Sequence, residues 1–136
     1  MLNTVTQTKI FSRRDEKMSI VFSQNSPIYL QLVEIMKLKI VIGVWPVGEK
    51  VNSVRDLALL FEVNPNTMQR ALAELERQGF LYAERTAGRY VTKDQQLIED
   101  TRHGMAEAYI VDFCENMKEL GYSKDQIIDL IIKEAK

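Results

Sequence analysis

Asn64, Asn66, Thr67, Gln69 and Arg70 crowd a single short stretch, Val63-Asn64-Pro65-Asn66-Thr67-Met68-Gln69-Arg70-Ala71. Amide side chains of Asn and Gln can exchange paired hydrogen bonds with adenine, and a guanidinium does the same with guanine or clamps a phosphate. On a helix, Asn66, Gln69, Arg70, Ala73 and Arg77 share one face, because they recur at three- and four-residue steps. Ala73 keeps that face low enough to approach base edges. A merely solvated face favours Glu and Lys; this one carries Asn, Gln and Arg.

Two further groups suit phosphate chemistry. Ser53 and Arg55 open a predicted helix, where unsatisfied N–H groups and the helix dipole favour an anion and a guanidinium adds a forked donor. Capping alone accounts for Ser53, and Arg55 has Asp56 and Glu62 as alternative partners. In Arg85-Thr86-Ala87-Gly88-Arg89, two arginines flank small residues at the tip of a predicted hairpin. Such a tip can follow a phosphate strand or enter the minor groove, although any tight hairpin needs a permissive glycine.

The elements that position these groups follow from periodicity and caps. Ser26-Pro27 reads as a helix start, with Ser26 as cap and Pro27 first in the helix; Tyr29, Leu32, Val33, Met36 and Ile40 form its stripe, and it ends near Gly43. A turn at Trp45-Pro46-Val47-Gly48 leads to a very short strand at 49–51. Ser53 caps a second helix with stripe Val54, Leu57, Ala58 and Phe61. Asn64 caps a third, with Pro65 following, stripe Met68, Ala71, Leu72 and Leu75, and Gly79 as its end. The stretches 80–85 and 89–92 then form a β-hairpin. Three helices and a hairpin make a winged helix-turn-helix, so the fold class is mainly α with a small β-hairpin (α+β). From Asp94 two short amphipathic helices are expected: Ala106, Ile110, Phe113, Met117 and Leu120 line the first, Gly121 breaks it, and Ser123 to Gln126 is a capping box for the second, which bears Ile127, Ile128, Ile131 and Ile132. The domain reading is a flexible extension (1–17), a winged helix-turn-helix (18–93) and a C-terminal helical segment (94–136).

Composition bounds the alternatives. The chain has 136 residues, 46% of them hydrophobic, which suffices for one small core and an appendage. Its net charge of -1 conceals an asymmetry, since residues 94–136 carry five Lys/Arg against ten Asp/Glu while the rest is net basic. A lone Cys114 excludes an internal disulfide and suits a reducing compartment, and neither a membrane span nor a secretory signal is evident, so a cytoplasmic location is expected. His103 and Cys114 lie eleven positions apart on one predicted helix, a poor metal pair, so no metal or other cofactor is expected. No nucleophile–base pair or phosphate-cradling glycine loop points to an enzyme.

The stretch from Ser26 to Val91 resembles the GntR family of bacterial transcription regulators, and within it the short YtrA subfamily. The resemblance rests on Ser26-Pro27-Ile28-Tyr29-Leu30-Gln31, Ser53-Val54-Arg55-Asp56-Leu57-Ala58, the 63–71 stretch, Leu75-Glu76-Arg77-Gln78-Gly79-Phe80 and the wing. Val51-Asn52-Ser53 stands where the family usually has Leu-Pro-Ser, and Thr86 replaces the first of two common wing glycines. Pro65 stands where many relatives carry an Arg, so that contact does not transfer. The resemblance implies DNA contacts by Arg55, by the start of the third helix (Asn64, Asn66, Thr67), by Arg70, and by the wing around Gly88 (Arg85, Thr86, Arg89). It also implies that residues 94–136 form a dimerisation or effector segment. Two short helices bearing Ile110, Phe113, Met117, Ile128 and Ile131 cannot bury both faces against each other, and a second copy would do so. The expectation is a homodimer on an inverted-repeat operator, acting as a repressor, with two reading helices roughly 34 Å apart. The competing expectation is a sensor whose small-molecule effector sits at the C-terminal dimer interface.

Overall fold

A computed structural model describes residues 22–85 and 87–135. The extension at 1–17 and Thr86 therefore lie outside the described residues. Among the described residues the order is α1 (Ile28–Val41), α2 (Val54–Phe61), α3 (Pro65–Arg77), β1 (Leu81–Glu84), β2 (Gly88–Val91), α4 (Gln95–Glu119) and α5 (Lys124–Glu134). This is the expected α+β winged helix with helices appended.

The start of α1 differs from expectation by one residue. Pro27, not Ser26, holds the cap position, with φ -57 and ψ 142 and no side-chain cap. The reason is the Gln31 amide, which donates to the carbonyls of Ser23 and Ser26 at 2.7 and 2.8 Å while its oxygen accepts the Ser23 N–H at 2.8 Å. The Ser26 carbonyl is thus engaged by a side chain, and the Pro27 carbonyl becomes the first helical acceptor, for Leu30 and Gln31 N–H at 3.2 and 3.3 Å.

α2 and α3 start as expected. Ser53 Oγ accepts the Asp56 N–H at 3.1 Å, and Asn64 Oδ1 accepts the Asn66 N–H at 2.8 Å with Pro65 in the first turn. Between them Glu62 adopts a left-handed conformation (φ 56), which turns the chain sharply enough to set one helix across the other. The buried stripe of α3, Met68, Ala71, Leu72 and Leu75, packs against α1, α2 and β1 together with Leu32, Met36, Ile40, Leu57 and Phe61. α3 is therefore held from several sides, and its outer face is free to do chemistry.

The hairpin pairs Leu81 with Val91, Tyr82 with Tyr90, Ala83 with Arg89 and Glu84 with Gly88; β1 is one residue shorter at each end than expected, and β2 keeps the expected length but starts one residue earlier. The short strand expected at 49–51 is reduced to one bridge, Lys50 to Tyr90, flanked by Val51 N–H to the Arg89 carbonyl and Val91 N–H to the Glu49 carbonyl, both 2.9 Å. These bonds tie the approach to α2 directly to the wing.

The described chain divides into two compact units at Thr101, inside α4. Ile98, at the start of α4, belongs to the core of the first unit, and Asp94 Oδ1 accepts the Leu97 N–H at 3.1 Å. In the second unit the expectation of two short helices fails for α4, which runs unbroken for 25 residues, about 37 Å at the usual rise. Its exposed Tyr109, Ile110 and Val111 are consecutive, so its apolar side chains are not confined to one stripe. Gly121 (φ 91) ends it, and α5 begins with the expected capping box between Ser123 and Gln126. Among the described residues of this unit only Ile127 is buried.

Candidate nucleic-acid interface

The outer face of α3 is built as the spacing predicts. Asn66, Gln69, Arg70, Ala73 and Arg77 are exposed opposite the buried stripe, and Thr67 is half-buried beside it. Their surroundings separate them by role. Arg77 is bound by its neighbour: Nε and Nη2 donate to the two Glu74 carboxylate oxygens at 2.7 and 2.5 Å. Hydrogen bonds from Arg77 and then from Gln78 hold the Glu74 carboxyl down at about 2. The charge of Arg77 is thus matched within the helix. Arg70 is held differently, with its guanidinium carbon 3.8 Å from the centroid of the Tyr29 ring, a contact that uses none of its N–H donors.

A cleft of about 710 Å³ lies between the start of α2 and the wing, lined by Lys50, Asn52, Ser53, Asp56, Gly88 and Arg89 among others. Ser53 Oγ serves as the α2 cap, so its contribution there is mainly the helix end it organises. Asn64 is similar: its oxygen caps α3, and its amide N–H groups remain. Arg55 is exposed in the first turn of α2, one residue past Val54. Gly88 has φ 90, and a Cβ there would come within 3.3 Å of Lys50 Cε, so the missing side chain lets Lys50 lie across the wing.

Arg89 was expected among the wing contacts. Its Nε donates to Glu76 Oε1 on α3. That pair joins the wing to α3 and leaves the terminal guanidinium N–H groups for other acceptors. Arg85 is exposed at the tip. Lys50 and Asn52 lie in the cleft without having been singled out from sequence. The bridge to Tyr90 that brings Lys50 there pairs residues forty positions apart, beyond the reach of local patterning.

Beneath this surface Lys39 is only 2% exposed. It borders a cavity of about 30 Å³, enough for a water molecule, shared with Trp45, Lys50, Asn52 and Phe61. Burial pushes the Lys39 ammonium below its ordinary value.

In the second unit Phe113, Met117 and Ile131 line an apolar cleft of about 460 Å³ together with Leu130 and Glu134, while Ile110 and Ile128 lie exposed outside it. His103 Nε2 is 2.7 Å from Glu107, and Cys114 is half-buried. No cluster of His, Cys, Asp and Glu among the described residues could hold a metal ion. No helix among the described residues is long and apolar enough to cross a membrane.

Comparisons with known proteins converge on one group. The pattern of the gntR family of bacterial regulatory proteins matches residues 28–91, the span from α1 to the end of the wing. The HTH-type transcriptional regulator YhcF of Bacillus subtilis is 31% identical over 108 residues, covering 79% of this chain and 89% of that protein. The HTH-type transcriptional repressor YtrA of the same organism is 33% identical over 96 residues, covering 71% of this chain and 69% of that protein. A solved structure of a GntR family transcriptional regulator from Listeria monocytogenes is 40% identical, with a TM-score of 0.73 over 82% of this chain and 98% of its own. With the winged reading head on one side and these relatives on the other, the chain belongs to the gntR family of bacterial regulatory proteins and is a DNA-binding transcription regulator.

Proposed function

We propose that the protein is a repressor that binds an inverted-repeat operator as a homodimer, with α3 in the major groove and the wing on the backbone or in the minor groove. The exposed Asn66, Gln69, Arg70 and Ala73 face of α3 carries this reading, because its amides and free guanidinium suit base edges and its opposite side is fully committed to the core. Lys50, Asn52 and the helix end capped by Ser53 supply phosphate contacts along the cleft, and the exposed Arg55 adds one from outside its lining. The wing adds Arg85 and the backbone around Gly88; Arg89 acts chiefly as the strut to Glu76. Repression is supported by similarity to a relative named as a repressor.

The dimer is supported by the second unit. Phe113, Ile128, Ile131 and Ile132 stand exposed around a single buried isoleucine, an arrangement that a second copy of the same helices would cover. A hydrophobic small molecule in the Phe113–Ile131 cleft is the competing reading, favoured by the cleft's apolar lining and its size.

A salt-titrated gel shift on the DNA upstream of the protein's own gene tests the main reading. Specific binding should weaken steeply with salt. Arg70→Ala should cost about 1–3 kcal/mol and relax preference at one base pair per half-site, whereas Arg55→Ala should weaken all sequences alike and reduce the salt slope by about one per site. Unchanged binding in the double variant would overturn the assignment of both residues.

A further inference from the structure

We infer that Tyr29 is a positioning residue for base recognition, its ring serving as the platform that fixes the Arg70 guanidinium for reading DNA. The inference rests on the proposed placement of α3 in the groove. Tyr29 stands in the first turn of α1, half-buried and packed against the core, so its ring is itself anchored. Arg70 belongs to a different helix, and the 3.8 Å separation is face contact between guanidinium and ring. Among the described residues Arg70 has no hydrogen bond or ion pair, so this contact is what orients it.

The contrast with Arg77 shows why the partner matters. A carboxylate consumes the donors it pairs with, as Glu74 does with Arg77. An aromatic face consumes none: the guanidinium N–H groups lie in the plane of the group and stay available at its edge, in the fork that matches guanine O6 and N7. The ring also removes much of the rotamer freedom that an unheld Arg would lose on binding, and so favours the bound geometry in advance.

The test uses the full chain and the duplex that the unmodified protein enriches from a random-sequence pool, together with every single base-pair substitution of that duplex. Arg70→Ala should flatten the preference at one base pair in each half-site. Tyr29→Leu should weaken binding to the enriched duplex by about threefold and blunt the preference at that same base pair, leaving the others intact. Tyr29→Phe, which keeps the platform, should retain both. Within the Arg70→Ala background, Tyr29→Leu should add nothing. Should Tyr29→Leu fail to fold, Tyr29→Met removes the ring with an unbranched, flexible chain that fills irregular gaps and carries the same expectations. Equal weakening across all substituted duplexes, or a full additive loss in the Arg70→Ala background, would overturn the inference and leave the groove reading standing. A pool that yields no enriched sequence would remove both.

Discussion

The two compact units of this chain solve the problem of burying apolar surface in opposite ways. The winged unit closes around α3, with Leu32, Met36, Phe61, Met68, Leu72 and Leu75 all fully buried. The unit from Thr101 onward is similarly rich in apolar residues for its length but buries only Ile127 among its described residues. The first unit is finished as one chain, and its exposed residues are free to be selected for chemistry. The second is unfinished as one chain, so its exposed residues are explained by what must cover them. An exposed Gln69 and an exposed Ile131 therefore carry different messages, although each is merely a residue on a surface.

The largest effect that this contrast predicts is in the winged core. Leu72→Ala, at a position with 0% exposure, should lower the unfolding free energy by about 3 kcal/mol in urea titration, with the same loss at every protein concentration. Ile131→Asp, at a position 45% exposed, should leave the melting of the winged unit unchanged and yield a monomer in sedimentation. Its affinity for a full inverted repeat should fall by about a hundredfold while binding to one half-site persists, because the second contact is no longer tethered. A monomeric wild type, or an Ile131→Asp chain that remains dimeric, would break the contrast.

What could be read from sequence divides along the same physical line. The stripe of α3, its Asn64 cap with Pro65, and the Ser123–Gln126 box are local: each is set by residues within one or two turns, so spacing alone specifies them. The outer face of α3 follows once the stripe is known. The contacts that give that face its character are not local. Tyr29 reads as part of a buried stripe and of the motif that opens α1, and neither reveals that its ring reaches Arg70 forty-one positions away. Arg89 was legible as a wing arginine, but its attachment to Glu76 depends on how the hairpin folds back on α3. Lys39 lies one position before Ile40 on α1 and gave no signal of burial, because a lysine in a helical pattern is ordinarily solvated. The length of α4 is hidden for the reverse reason: with Tyr109, Ile110 and Val111 in a row, its apolar residues are not confined to one face.

Lys39 provides a sharper test of how complete the winged core is. Its folded pKa is lowered from 10.5, so the unfolded chain binds the proton more readily, and stability must rise with pH as that difference is relieved. The penalty is present in full below the folded pKa and disappears as the pH approaches 10.5. Lys39→Met, which keeps the stem and removes the charge, should be more stable than wild type by about 1 kcal/mol near neutrality. Urea titrations across the alkaline range should show that gap closing. A gap that stays constant with pH would mean that packing of the stem, rather than the buried charge, separates the two.

The smallest expected effect bears on the unfinished unit. Gly104 lies within α4 just past Thr101, and a Cβ added there meets nothing within 4 Å. Where a helix has little tertiary support, intrinsic propensity decides its stability, so Gly104→Ala should strengthen α4 by about 0.5–1 kcal/mol, read as slower amide exchange around that position. The winged unit offers the converse: Ala71→Gly, at a position with 0% exposure on α3, should cost more than propensity alone because it also opens a void. If Gly104→Ala instead speeds exchange or weakens self-association, its open surroundings in the single chain are filled by another molecule, and the absent side chain marks a close approach of the partner's backbone. Either outcome locates the covering surface of α4 relative to Gly104, which Ile131→Asp by itself does not.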